Sequence, residues 1–501
     1  MMGRRRFAQK LYYQLSLDQL VPQDHLLRRI AEAVDFSFVR PLCRPFYSHT
    51  GQPSVDPIVL FKMLLVGYLY GITSERRLAQ EVELHLAYRW FLGYDLDEPT
   101  PNHSVLSKAR ARFAPEVFEG FFRQSIALCQ EAGLLAEGPV YVDSTLIQAA
   151  ASMASLRQSG ELAQPPLSVP EYVRRLYQEN SREELPVSQP EPPLPDQPLS
   201  PPSGESHPDR RQRRANNELQ SRTDPEASVI SRRGFGLHLA YKAHVAVAGQ
   251  SGRVITAAIA TTGATADEHL LGEVLWEHRR LSGLPVLEVV ADGKYGTVAN
   301  YVYLRKAGIS AFIPPRRHGY QANGVWGRDH FRWLSEEDSF LCPAGQRLRR
   351  FTTVTTTRRI GYRAPKGSCA GCRFRSQCAP SGRQRTVSRF WDQDTVEEAL
   401  ELTSTPLGRQ RLRERKVRAE GVFGLAKELH GLRRTRFKGR WKVQIQLWLT
   451  AAAMNMKRAV ATMSRGTPAA AGAVAALPAV IRWIRRLLGQ SATSATAPVH
   501  W

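Results

Sequence analysis

Two apolar runs in this chain each end on an aspartate. Gly138-Pro139-Val140-Tyr141-Val142-Asp143 is the first, and Val286-Leu287-Glu288-Val289-Val290-Ala291-Asp292 is the second. Short stretches rich in β-branched residues and bounded by proline or charge predict buried strands. Strands apolar on both faces belong inside a sheet that helices cover on either side. Each carboxylate is then presented where its strand leaves the core. A third acid, Glu420, lies within a strongly basic segment that has helical spacing. Two acids at strand ends and one on a helix predict a convergent set of hard oxygen donors, the kind Mg²⁺ takes.

The chain has 501 residues, enough for two to four domains with a large core. Its 69 Lys and Arg against 46 Asp and Glu leave a net charge of +23. Such an excess favours a polyanionic partner, either nucleic acid or an anionic membrane surface. The longest apolar stretch, Ile58 to Tyr70, is interrupted by Lys62 and is too short to cross a bilayer. The basic start, Met1 to Arg6, leads into no secretory apolar core. These features predict a cytoplasmic protein that works on DNA or RNA. Its cysteines should then be reduced thiols or metal ligands. Cys43 and Cys129 stand alone and read as core residues.

Residues 1–137 read as helical. Asp56 before Pro57 predicts a capped, buried helix over Ile58–Tyr70. Ser74 predicts the cap of a second helix running through Leu78, Val82, Leu86 and Trp90. A third restarts at Ser104 and carries Lys108, Arg110 and Arg112. Short helices with a basic last member suit a helix-turn-helix DNA reader, and equally a helical bundle with solvated charges.

After Asp143 comes a low-complexity stretch with 12 prolines in the 44 residues from Pro165 to Pro208. That composition cannot build a core and predicts an extended insertion, assigned here to residues 152–232. Alternation from Leu237 to Val247, a Gly249-Gln250-Ser251-Gly252 turn and Val254–Thr261 predict a hairpin. A helix past His269, the Asp292 strand, a helix over Val298–Lys306 and a strand Ile309–Ile313 follow. This α/β order resembles the ribonuclease H-like fold, a mixed sheet flanked by helices. His244 and His269 read as structural.

The 127 positions between Asp292 and Glu420 exceed any single loop, so residues 316–408 should form an inserted subdomain. It holds Cys342, Cys369, Cys372 and Cys378, a set that would complete a tetrahedral structural Zn²⁺ site or remain as free thiols. From Arg409 to Lys442 there are 13 Lys or Arg and three Glu. On a helix Lys416, Glu420, Gly424 and Lys427 share one stripe, which suits an acid flanked by phosphate contacts. A salt-bridged surface helix is the plain alternative. Arg433, Arg434 and Arg436, interleaved with Phe437 and Trp441, resemble nucleic-acid contact surfaces. Residues from 461 onward read as a low-complexity tail.

These motifs resemble those of the DDE transposases of bacterial insertion sequences, of the ribonuclease H-like type with an insertion before the final glutamate. Val142-Asp143-Ser144-Thr145 is similar to the first aspartate motif, and Ala291-Asp292-Gly293-Lys294-Tyr295 to the second. Glu420-Gly421-Val422-Phe423-Gly424-Leu425-Ala426-Lys427 matches the signature helix. Two positions depart, because that signature has arginine four residues before the glutamate and tyrosine three before that. Here stand Lys416 and Arg413.

The resemblance implies that Asp143, Asp292 and Glu420 hold two Mg²⁺ (or Mn²⁺) ions about 3.5–4 Å apart. It implies cleavage at the element's terminal inverted repeats and attack of the freed 3′-hydroxyl on target DNA. Lys427, Lys416 and Lys294 would contact phosphates, and residues 1–137 would bind the terminal repeats. Joining two ends implies a homodimer or a larger assembly on double-stranded DNA. A ribonuclease H-like nuclease and a non-catalytic DNA-binding regulator are the rival readings.

Overall fold

The computed structural model describes residues 15–48, 54–158, 216, 218–232, 236–249, 253–316, 325–355, 358–380 and 384–464. Most of the proline-rich stretch, the Gln250–Gly252 turn, Pro53, the basic start and the tail from residue 465 lie outside these.

The N-terminal region is helical, as its patterning predicts. Helix α1 spans Leu26–Ala33 and α2 spans Pro57–Leu69, where Asp56 accepts a hydrogen bond from the Ile58 amide. Ser74 accepts from the Arg77 amide and starts α3, Glu75–Leu84. The single helix expected past Leu86 is broken: His85 adopts an extended conformation and α4, Leu86–Leu92, begins anew. Then come α5, His103–Arg112, and α6, Pro115–Glu131. Phe61, Phe113, Phe118 and Phe121 pack ring against ring at their centre. Here the sequence motif read two ways is a packed bundle, in which Arg110 is buried rather than presented.

The central sheet is mixed. Strand β1 (Val140–Gln148) and the long β3 (Gly236–Ala248) pair antiparallel, with Tyr141 opposite Val247 and Gln148 opposite Ala240. Strand β4 (Val254–Thr262) pairs antiparallel with β3. On the other side β5 (Glu288–Val290) runs parallel to β1, and β6 (Ser310–Phe312) parallel to β5. An unpredicted strand β2 (Ser228–Arg232) also pairs with β3. It lies in the segment assigned to the proline-rich insertion, as does a ribbon of Leu156–Gln158 with Leu219–Ser221. Both ends of that insertion are therefore built into regular structure. Helices α7 (Leu271–Ser282) and α8 (Val298–Lys306) flank the sheet.

The inserted segment forms a separate five-stranded antiparallel sheet: β7 (Arg332–Leu334), β8 (Ser339–Leu341), β9 (Arg347–Val354), β10 (Arg359–Arg363) and β11 (Thr386–Phe390). It has its own small core of Phe331, Phe340, Leu348, Tyr362 and Val387. The next helix, α9 (Gln393–Ser404), packs Ala399 and Val396 against the central sheet's core, so the packing unit of the insert ends before residue 408.

After α10 (Pro406–Arg415) a π-helical turn covers Lys416–Glu420, and α11 (Gly421–Leu429) continues from it. The 24-residue helix α12 (Arg440–Met463) is buried along most of its length and packs on α6, α2 and β4. Its Asn455 accepts from the Ile255 amide (3.0 Å) and donates to the Ile255 carbonyl (2.8 Å), fastening it to an edge strand. The N-terminal helices and the sheet thereby share one core. At this seam Gly71 has φ +66°, and a Cβ there would meet the Leu429 carbonyl oxygen at 2.6 Å. Only glycine lets these backbones approach so closely.

Candidate active site

Parallel pairing sets Val140 opposite Val289 and Tyr141 opposite Val290. Continuing this register by two residues brings Asp143 level with Asp292, where β5 has already ended and the chain turns. The Asp292 carboxylate is held in that turn by the Lys294 amide at 2.9 Å. Asp143 accepts from the Ser144 amide at 2.8 Å and is only 8% exposed. Burial, more than any neighbour, pushes its pKa up to about 6, with smaller upward contributions from Asp292 and Glu420. A desolvated carboxylate beside two others calls for a cation.

The cation found there is Arg415. Its Nη1 donates to Asp143 Oδ2 at 3.0 Å, and its Nη2 to Glu420 Oε1 at 3.1 Å. The signature spacing instead points to Lys416, which is exposed. The physical reason is the π-helical turn. Its i to i+5 repeat places the side chain five residues before Glu420, not four, beneath the carboxylate. An arginine next to the expected position was the available signal.

Lys427 also reaches the site: its Nζ donates to Thr145 Oγ1 at 2.6 Å, two residues beyond Asp143. Lys294 is exposed, and its Nζ lies 3.4 Å from Asp267 Oδ2. The buried Asp267, not singled out from sequence, accepts from Ser144 Oγ (2.8 Å) and pairs with Lys242 (2.9 Å). Its carboxyl is held below the usual range by Lys242 and Lys294, which outweigh burial. Tyr295 is fully buried, and its hydroxyl lies against the Ser144 side chain. It feels the charges of Asp267, Asp143 and Asp292.

The other basic candidates divide. Arg433 and Arg434 are exposed, on a segment that runs beside the end of β1, where the Gln148 amide donates to the Arg433 carbonyl at 3.1 Å. Lys108 is exposed as well. Arg112 lies over the Tyr47 ring (4.9 Å). Arg110 pairs with Glu75 and stacks on Phe437 at 4.0 Å, so it braces the bundle from inside. Arg436 does likewise, donating to the Ile72 carbonyl (3.0 Å) and covering Tyr68 (3.9 Å). Tertiary packing turns Arg436 inward onto backbone carbonyls at the seam and Arg110 inward onto Glu75 and Phe437. His244 is buried against Thr261 at 3.0 Å, a structural place.

Cys342 and Cys369 pack against the core of the inserted sheet, in which Cys378 is buried. Cys342, Cys369 and Cys372 each lie near enough to Cys378 for their charges to raise its pKa, although burial is the larger cause. Among the described residues no group of three or more His, Cys, Asp or Glu stands in an arrangement that would hold a metal ion. That holds for these cysteines and for the three acids alike. Among the same residues no helix is long and apolar enough to cross a membrane.

Comparison with known families gives two matches. Residues 15–112 match the transposase domain family DUF772, and residues 341–460 match a transposase DDE domain family. No curated protein and no solved structure matches the chain. The C-terminal match is to a domain family that implies a nucleotidyl-transfer enzyme. Together with the N-terminal match, it supports a DDE-type insertion-sequence transposase.

Proposed function

We propose that this transposase binds the terminal inverted repeats of its element and cuts and transfers strands at a site made of Asp143, Asp292 and Glu420. The observation that carries this reading is the level placement of Asp143 and Asp292 on adjoining strands, tied through Arg415 to Glu420. The strand order β4-β3-β1-β5-β6, three antiparallel strands followed by two parallel, supports a ribonuclease H-like sheet. Residues 1–137 would then be the DNA-binding domain, 138–460 the catalytic domain and the five-stranded sheet its insert.

The donor set fits Mg²⁺ or Mn²⁺. Carboxylate oxygens are what these ions prefer, and Asp143 is a buried carboxylate whose pKa burial raises to about 6 even with Arg415 beside it. Bound there, such ions would polarise the phosphodiester and the attacking oxygen. The chain's own residues do the rest. Asp143 and Asp292 present rigid acceptors because both are set by sheet register and by backbone amides. Lys427, anchored at Thr145, and the exposed Lys294 would hold phosphates next to the cut. Arg433 and Arg434 would extend that contact along the end of β1. The four clustered cysteines would close around a structural Zn²⁺, and two element ends would require two or more copies of the chain.

The decisive experiment is cleavage of a duplex carrying the element's terminus, with Mg²⁺, by wild type and Glu420→Gln. Cleavage that the substitution abolishes while binding persists is expected. Equal cleavage by both proteins would remove Glu420 from the site, and tight binding without cleavage by either would favour a regulator.

A further inference from the structure

We propose that the outer face of the inserted five-stranded sheet is a second binding surface for duplex DNA, separate from the acidic site. The proposal rests on the transposase reading for the kind of nucleic acid, but on the sheet itself for the surface.

Alternation along the strands sends Leu348, Tyr362 and Val387 into the small core. The same alternation sends Arg349, Arg363 and Arg359 to the opposite face, where all three are exposed. Arg349 stands directly opposite Arg363 on the neighbouring strand, and Arg359 opposite Phe390. At the bulge between Arg350 and Thr352, Phe351 joins this face, 42% exposed, with the Arg363 guanidinium 3.8 Å over its ring. Gly361 makes that possible, since a Cβ there would sit 2.8 Å from the Phe351 ring. Thr386 and Ser388 add hydroxyls on the adjoining strand.

Like charges directly opposite on paired strands are destabilising. Here nothing on the face relieves them: β9, β10 and β11 contain no Asp or Glu. Among the described residues no carboxylate pairs with Arg349, Arg359 or Arg363. Arg347 differs, because Glu337 reaches it from the preceding turn at 2.6 Å. A fold that could have placed one acid among three guanidinia, and did not, keeps an unneutralised face that a polyanion would complete. Arg363 and Arg359 lie four residues apart on one strand, about 13 Å. That separation lets the two guanidinia reach different phosphates of one DNA strand. Such a face positions a backbone without reading bases.

The test uses the full chain and a 30-base-pair duplex lacking the element's ends, with binding followed by fluorescence anisotropy across a salt series. The triple variant Arg349→Gln, Arg359→Gln, Arg363→Gln should make the slope of log K against log salt shallower by about 2 to 3. Its melting temperature should equal or exceed that of wild type, because the facing charges are gone. The corresponding Arg→Lys triple and Arg347→Gln should keep the wild-type slope. An unchanged slope in the Gln triple overturns this surface and leaves the acidic site untouched. A slope change with RNA duplex but not DNA overturns the DNA assignment. A wild type that binds no duplex at all overturns the transposase reading instead.

Discussion

Arg415 spans the two acids that come from different elements, with Nη1 3.0 Å from Asp143 Oδ2 and Nη2 3.1 Å from Glu420 Oε1. One guanidinium therefore ties the first strand of the sheet to the helical segment that carries the third carboxylate. On the proposed reading, a divalent cation would draw on the same two carboxylates. Replacing Arg415 by Gln should tighten Mn²⁺ binding about tenfold, worth about 1.4 kcal/mol. Electron paramagnetic resonance titration of free Mn²⁺ reads this without turnover. Lys416→Gln, which removes an exposed charge one residue away, should change it far less. Equal affinity in wild type and Arg415→Gln would show that ion and guanidinium do not compete.

Stability should fall in mild acid, and His278 is one cause. It is buried, with Nδ1 2.7 Å from Thr256 Oγ1, and burial lowers its pKa to about 4. Its folded-state pKa lies below the unfolded value of about 6.5, so folding excludes a proton. The stability this group supports is complete above pH 6.5 and is lost as pH falls from 6.5 towards 4. The loss amounts to about 3 kcal/mol. Urea midpoints at pH 7.5 and 4.5 should differ less in His278→Gln than in wild type. An identical pH dependence would mean that His278 is already protonated in the folded chain.

Asn455→Leu should cost about 2–4 kcal/mol, because both Ile255 backbone groups lose their buried partner at once. Thermal unfolding should shift down by about 5 °C. If the melting temperature holds, the edge strand is secured by apolar packing against α12 alone.

Purified without chelator, the chain should carry roughly one zinc, measurable by plasma emission, and Cys372→Ser should lose it. Metal content that is nil in wild type, or that survives the substitution, would leave the four cysteines as thiols at the end of a small apolar core.

Much of the organisation was legible in local pattern. The buried helix after Asp56, the long hairpin and the helix over Val298–Lys306 follow from periodicity and capping, which act over a few residues, whereas β1 runs on past Asp143 to Gln148 and β5 stops at Val290, short of Asp292. The break at His85 and strand β2 did not show, because tertiary packing decided them against weak local preference.

What the sequence determined by itself is the set of chemical groups and their order: two acids on apolar runs, a third in a basic helical segment, and an insert between. Only the tertiary structure decided which cations serve them. A π-helical turn shifted the register by one residue and brought Arg415, not Lys416, to the acids. Packing of the bundle against the segment after Glu420 turned Arg110 and Arg436 inward. Composition records charge, but whether a charge meets solvent, a carboxylate or a carbonyl depends on partners far away in the chain. Those partners become neighbours only when the core closes.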